Sequence, residues 1–155
     1  LNASESWEMW QMDWRWCHKC HGLFFSDGQS AAGRCPAGGQ HEKGTSGNYI
    51  LAHNQAGIVG QQDWRWCHKC HSLFFSGGQP IAGRCSTGGQ HEKGASGSYT
   101  LIHEQATFPG QSDWRWCHKC QGLFYAGGRT AVGRCPAGSQ HERNVSGNYT
   151  LIHNP

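Results

Sequence analysis

The chain has 155 residues, of which 23 are glycine and eight are tryptophan, and 15% are charged, for a formal net charge of +3. This length allows one domain with a modest core, and because aliphatic residues are few, such a fold needs cross-links or metal ions. The aromatic content argues against a disordered chain, and no apolar run approaches the roughly 18 residues of a membrane-spanning helix.

The sequence consists of one 50-residue unit written three times. The segment Cys17-His18-Lys19-Cys20 returns without a shift at 67–70 and 117–120, and Cys35 and His41 return at the same interval. A fixed period of this length is typical of repeat architectures, in which every unit carries one copy of each site. We predict a single domain, residues 1–155, made of the units 4–53, 54–103 and 104–153.

Short strands separated by glycine-rich turns are predicted within each unit. Trp14 and Trp16 alternate with polar residues in the first strand, and Tyr49, Leu51 and His53 share one face of the last. No window has sustained helical periodicity. Applied to three units, the pattern predicts an all-β fold with twelve strands. In the first unit the strands are predicted at 13–17, 23–25, 31–35 and 48–53.

Twelve short strands in three equal units resemble a β-trefoil with pseudo-threefold symmetry. Units that each carry tryptophan and polar residues also resemble the ricin-B-like β-trefoil lectins, and this likeness covers nearly the whole chain. It implies a carbohydrate-binding protein. The Q-x-W signature of those lectins is replaced by Gln11-x-x-Trp14 and its copies at 61–64 and 111–114, and zinc is not part of their usual pattern.

Two other architectures fit the same repeats. A three-bladed propeller is one, although propellers usually close with four to eight blades. The other is a row of three small zinc-ribbon-like beads, joined by the connectors 54–60 and 104–110. Such an array of zinc modules would bind a protein or a single-stranded nucleic acid.

Each unit carries three cysteines and a histidine at metal-ligand spacing. In the first unit Cys17 and Cys20 form a C-x-x-C pair, Cys35 follows after fourteen residues and His41 after five more. The knuckle C-H-K-C-x-x-L-F resembles the zinc knuckles of zinc-ribbon and rubredoxin-like sites. One disulfide with one leftover thiol per unit is the weaker interpretation, because the cysteine count per unit is odd. We predict three structural Zn²⁺ ions, held by Cys17, Cys20, Cys35 and His41, by Cys67, Cys70, Cys85 and His91, and by Cys117, Cys120, Cys135 and His141.

Glutamates that directly follow the histidines are candidate general bases of a zinc hydrolase. A catalytic zinc keeps one coordination position open for water, whereas four good ligands close this one. A solvated loop position or a contact with the ligands is therefore the favoured role of Glu42, Glu92 and Glu142. The H-x-E…P-C-x-x-C pattern of zinc deaminases is absent from the sequence. We predict a protein without enzymatic activity.

Bound metal changes the charge balance. Nine thiolates would add nine negative charges and three Zn²⁺ ions would add six positive charges. Starting from +3, the loaded chain is expected to be close to neutral. Binding to duplex nucleic acid needs a basic surface, which this chain then lacks. Single-strand stacking on tryptophan stays open as an alternative.

Aromatic and polar side chains suited to a sugar occur in every unit. An aromatic ring can stack on the apolar face of a pyranose, while Asp, Asn, Glu or His side chains hydrogen-bond its hydroxyls. Repetition of weak sites raises the overall affinity, so we predict multivalent glycan binding. The candidate residues are Asp13, Trp14, Glu42, Asn48 and His53, then Asp63, Trp64, Glu92, Ser98 and His103, and finally Asp113, Trp114, Glu142, Asn148 and His153.

Structural roles compete for several of these residues. Trp16 is first of all a core residue, and Trp14 is equally suited to the core and to a sugar platform. Asp13 fits a turn or capping position, Tyr49 fits the core, and His53 fits a half-buried, hydrogen-bonded position.

The expected setting is extracellular. No signal peptide is visible and the chain begins at Leu1, which fits a processed secreted protein, with a cytoplasmic location as the alternative. We expect glycans as partners and no insertion into membranes. Nothing in the sequence specifies an oligomeric state.

Overall fold

The protein is described by a computed structural model that covers residues 10–26, 32–54, 57–77, 82–105, 107–127 and 132–154. These residues form β-strands and no helix, which confirms the all-β prediction, and they include no helix able to span a membrane. Each unit contributes three strands. The strands are β1 Trp10–Trp16, β2 Leu23–Phe25, β3 Asn48–His53, β4 Gln61–Trp66, β5 Leu73–Phe75, β6 Tyr99–His103, β7 Gln111–Trp116, β8 Leu123–Tyr125 and β9 Tyr149–Asn154.

Within a unit, the first strand lies between the other two. In the first unit β1 pairs antiparallel with β2 and with β3, so that Trp14 lies opposite Phe25 on one side and Tyr49 on the other. The register shifts between Gln11 and Trp14, and Asp13 adopts a φ of 74° at this bulge. The same bulge recurs in β4 and β7, so the repeats share their backbone irregularities as well as their strands.

Two sets of cross-unit pairings join the units. The last strands pair with one another at Ala52↔Thr100, Ile102↔Thr150 and Ile50↔Ile152. The short strands after the knuckles also meet, through bridges at Phe24↔Ser72, Phe74↔Gly122 and Gly22↔Phe124. The result is one nearly closed nine-stranded sheet. Separate beads on a string would not share backbone hydrogen bonds in this way.

The core lies inside this closed sheet and is aromatic. Trp14, Trp64 and Trp114 have 0% exposed surface. Each Trp ring meets the edge of a Tyr ring of another unit, as in the pair Trp14–Tyr99, whose ring centroids are 5.2 Å apart. Three fully buried leucine pairs complete the core, namely Leu23 with Leu51, Leu73 with Leu101 and Leu123 with Leu151.

The predicted strand at 31–35 is only partly described, because residue 31 lies outside the described residues. Its remainder forms one isolated bridge, Arg34↔Gln40, and not an extended strand. Gly33 has a φ of +86°, and the Cys35 N–H bonds to the Gly39 carbonyl at 2.8 Å. The chain turns here because Cys35 must reach the other cysteines of its unit. The described residues therefore have three strands per unit where four were predicted.

We predict that Gly33→Ala destabilises the protein far more than Gly38→Ala. Both residues have positive φ, at +86° and +105°, so either alanine should cost about 1–2 kcal/mol of backbone strain. A Cβ on Gly33 would overlap the Cys70 carbonyl of the next unit, whereas a Cβ on Gly38 meets nothing within 4 Å. The overlap should add about 1–3 kcal/mol. Denaturant unfolding of the metal-loaded variants measures both, and equal losses would contradict a tight contact between units at Gly33.

Candidate metal centres and an inter-unit pocket

The knuckle is a tight turn between the first and second strands of a unit. Cys17 directly follows β1, and its N–H bonds to the Gly22 carbonyl at 3.0 Å. The His21 N–H returns to the Cys17 carbonyl at 2.7 Å, with His21 at a φ of 66°. The turn places the Cys17 and Cys20 thiols in one buried cluster.

A second tight loop supplies the other two side chains. Cys35 accepts the Gly38 N–H at 3.0 Å, which closes the loop in front of His41. The His18 N–H bonds to the Glu42 carbonyl at 3.0 Å and holds this loop against the knuckle. The knuckle with Cys17 and Cys20 and the loop with Cys35 and His41 are separated in sequence, and the backbone bond between His18 and Glu42 holds them together.

The four predicted ligand atoms of each unit form a compact buried group. All of them lie within 4.8 Å of one another. The Cys17 and Cys35 sulfurs are 3.9 Å apart, and the Cys20 sulfur is 3.5 Å from Nδ1 of His41. The other clusters match, with Cys67–Cys85 at 3.9 Å and Cys70–His91 at 3.5 Å, and with Cys117–Cys135 at 3.8 Å and Cys120–His141 at 3.6 Å. The sequence therefore identified three Cys3His groups that could hold a metal ion.

All nine cysteines are free and buried. A disulfide requires sulfurs about 2.05 Å apart, well below the separations observed here. Backbone amides donate to the sulfurs, with the Glu42 N–H 3.4 Å from Cys17 Sγ and the Ala37 N–H 3.4 Å from Cys35 Sγ. Such bonds favour the thiolate, which is the form that binds metal.

Thiol ionisation within a cluster is unequal. Hydrogen bonds from the Cys20 and Cys35 thiols hold the pKa of Cys17 below its ordinary value. The hydrogen bonds with Cys17 and Cys35, together with burial, raise the pKa of Cys20 well above it. The first cluster alone thus favours one thiolate beside protonated neighbours. A cation would let the remaining thiols ionise as well.

Each histidine of a cluster also bonds to the next unit. His41 directs Nδ1 to its own cluster and donates from Nε2 to the Cys70 carbonyl at 3.1 Å. His91 donates to the Cys120 carbonyl at 3.0 Å, and His141 donates to the Cys20 carbonyl at 3.1 Å. These bonds fix the ring orientation and the tautomer that leaves Nδ1 free to bind metal. They also connect the three clusters in a closed cycle.

The glutamates next to the histidines lie outside the clusters. Glu42 is exposed, with Oε1 2.9 Å from His18 Nε2 and Oε2 3.6 Å from Lys19 Nζ. The hydrogen bond with His18, followed by the Lys19 charge, lowers the pKa of the Glu42 carboxyl. Glu92 and Glu142 make the same contacts in their units. The side chains point to surface partners on the knuckle rather than into the metal group.

The predicted sugar-binding residues do not form one group. Trp14, Trp64 and Trp114 are fully buried, and such a ring has no free face for a sugar. Asp13 and Asn48 contact each other at the bulge, where the Asp13 N–H donates to Asn48 Oδ1 at 2.7 Å. Asp113 and Asn148 repeat this contact, whereas Ser98 replaces the asparagine beside Asp63.

The histidines in the last strand of each unit, His53, His103 and His153, lie at the boundaries between units. His153 stacks on Tyr49 of the first unit with centroids 5.1 Å apart. His53 stacks on Tyr99, and His103 stacks on Tyr149, both at 5.6 Å. These residues are half-buried, as the structural alternative predicted, but Nδ1 of His153 lacks the predicted hydrogen bond among the described residues. Each of the three packs on a ring of a different unit.

A pocket opens beside His153, between the first and third units. It has a cavity volume of about 310 Å³, at the lower end of the range for small-molecule sites, roughly 300–1,000 Å³. The residues lining it are Trp16, Thr45, Ser46, Gly47 and Tyr49 from the first unit and Gln111, Tyr125 and His153 from the third. Of these residues, the sequence predicted only His153 as a binding residue. The repeated glutamine three positions before each buried tryptophan was a signal that could have found Gln111.

Hydrogen bonds fix two polar side chains of this pocket, Gln111 and Tyr49. Oε1 of Gln111 accepts from Trp114 Nε1 at 2.9 Å and from the Tyr49 hydroxyl at 2.6 Å, so the amide nitrogen of Gln111 remains as a donor. Nδ1 of His153 is buried without a hydrogen-bond partner among the described residues. Burial raises the pKa of Tyr49 to about 12, so its hydroxyl stays protonated at neutral pH. Among the described residues, no Asp, Glu, Lys or Arg lines the cavity.

Comparison with known proteins adds no assignment, since no protein-family model, curated protein or solved structure matches the chain.

We predict that His41→Ala lowers the metal content from three ions to two per chain, while His18→Ala leaves it at three. His41 contributes one of the four clustered ligand atoms, whereas His18 lies inside the same knuckle and contacts exposed Glu42. Native mass spectrometry of both variants gives the counts. Three ions retained by His41→Ala would show that the histidine is not a ligand.

Proposed function

We propose that the protein is a carbohydrate-binding protein, a lectin, whose β-trefoil-like repeats each hold one structural Zn²⁺ ion. The observation that carries the sugar proposal is the inter-unit pocket, with Trp16, Tyr49 and Tyr125 as aromatic walls and neutral hydrogen-bonding groups between them. Aromatic faces can cover the C–H side of a pyranose, and a few fixed polar groups can orient its hydroxyls.

Hydrogen bonding in the pocket suits a neutral, hydroxyl-rich ligand. The Gln111 amide nitrogen and the Tyr125 hydroxyl can donate to sugar oxygens, and the His153 side chain lines the same cavity. A phosphate or carboxylate would find no Lys or Arg among the described residues that line the cavity. This absence of positive charge favours a sugar over a nucleic-acid strand, whose binding depends on phosphate neutralisation.

Zinc is supported by the donor set and its spacing. Tetrahedral zinc with Zn–S near 2.3 Å and Zn–N near 2.0 Å separates two sulfurs by about 3.8 Å and a sulfur from a nitrogen by about 3.5 Å. The observed separations of 3.9 Å for Cys17–Cys35 and 3.5 Å for Cys20–His41 match these values. Four protein ligands leave no open position, which favours a structural ion over a catalytic one.

Three boundaries of the same construction favour multivalent binding. Tyr99 lies opposite Gln11 and His53, and Tyr149 lies opposite Gln61 and His103, as Tyr49 lies opposite Gln111 and His153. Weak single-sugar contacts would gain strength from this repetition on a surface with several sugars. Such a role fits an extracellular protein.

We predict selective binding of the zinc-loaded protein on a glycan array, with the signal strongly reduced in Trp16→Ala and retained in Lys43→Ala. Trp16 supplies an aromatic wall of the pocket, whereas Lys43 is exposed and does not line it. Because Trp16 also packs against the core, a second variant, His153→Ala, tests the pocket from the opposite wall. Near-ultraviolet circular dichroism and zinc content must match the parent protein in every variant. A blank array with folded, zinc-loaded parent protein would overturn the sugar proposal.

A further inference from the structure

The three inter-unit boundaries differ at one ring position. Tyr125 of the third unit lies opposite Trp114, with ring centroids 5.4 Å apart. Phe25 and Phe75 occupy the same register opposite Trp14 and Trp64, at 5.3 Å and 5.4 Å. The rings therefore have equivalent places in the three units, and the hydroxyl of Tyr125 is the chemical difference.

This hydroxyl is available at the pocket. Tyr125 lines the cavity between the third and first units and is only partly buried. Its hydroxyl has no hydrogen-bond partner among the described residues, and it approaches Gly127 so closely that a Cβ there would overlap the oxygen. A ligand in the cavity can therefore supply the partner that the described residues do not.

A second hydroxyl distinguishes the same pocket. Thr45 lines it, whereas the repeat equivalents of Thr45 are Ala95 and Val145. The boundary between the third and first units thus combines Tyr125 with Thr45. The other two boundaries combine Phe25 with Ala95 and Phe75 with Val145. Their shared Trp, Tyr, Gln and His residues are otherwise the same.

We propose that the pocket between the third and first units is the principal sugar site. Tyr125 determines its preference, which is for a pyranose with a hydroxyl group placed to hydrogen-bond the tyrosine hydroxyl. The inference rests on the proposed lectin function and deepens it. The two boundaries with phenylalanine bind the same sugar more weakly, because they lack a hydrogen-bond partner for one of its hydroxyls. Binding by the three units is therefore unequal.

The experiment is a nuclear magnetic resonance titration of the zinc-loaded protein with the methyl glycosides of glucose, galactose, mannose and N-acetylglucosamine. Each boundary carries its own reporter, because the indole N–H groups of Trp16, Trp66 and Trp116 give separate signals. The Trp16 signal should shift at sugar concentrations at least tenfold below those that affect the other two. Tyr125→Phe should raise the dissociation constant at Trp16 about tenfold, the loss expected for one hydrogen bond.

The reverse exchange tests gain of function. Phe75→Tyr with Val145→Thr transfers both hydroxyls to the boundary that contains Trp116. Position 77 is glycine, and a Cβ on it would overlap the Phe75 ring end as a Cβ on Gly127 would overlap Tyr125, so the tyrosine should fit. The Trp116 signal should then move in the same concentration range as that of Trp16.

The outcomes separate the inference from the function on which it rests. Equal shifts of all three indole signals, or a Tyr125→Phe variant with unchanged affinity, would overturn the inference and leave the lectin proposal standing. No shift with any of the four glycosides, together with a blank glycan array, would overturn both.

Discussion

The structure depends on histidines that hold two partners at once. Each cluster histidine directs one ring nitrogen to three cysteines of its own unit and the other to a backbone carbonyl of the following unit, as His41 does with Cys70. The Cys3His groups that could hold a metal ion and the closure of the three units are therefore parts of one arrangement. A histidine ring displaced from its cysteine cluster would also lose its hydrogen bond to the carbonyl of the next unit. This double role helps to keep the loops closed although they carry few aliphatic side chains.

The pocket follows from the same cyclic construction. Gln111 accepts from Trp114 of its own unit and from Tyr49 of another, so one amide oxygen fixes a buried core ring and a ring of the pocket wall. The walls belong to two units, and the histidine hydrogen bonds across the boundaries help to determine how far apart the units lie. The proposed structural role of zinc and the proposed sugar binding are thus coupled, because a loosened boundary would separate the two halves of the pocket.

Local patterns in the sequence predicted much of this. The repeat period, the all-β character and the Cys3His groups depend on spacing within one unit, and the structure confirms them. Relations between units were not predictable in the same way. Trp14 looked available for a sugar because nothing in its own unit shows that Tyr99 covers it. The pocket was missed because Trp16 and Tyr49 are interpreted as core residues when only one unit is considered. The strand predicted before Cys35 is replaced by a turn, because Cys35 belongs to the Cys3His cluster of its unit.

The cycle of histidine bonds also has a consequence for the order of assembly. The first two bonds, from His41 to Cys70 and from His91 to Cys120, each span 29 residues, whereas the bond from His141 back to Cys20 spans 121. Closing the longer loop costs more chain entropy, and contacts of such separation form late. During synthesis the Cys20 carbonyl therefore gains its bond from His141 only after the third unit has emerged.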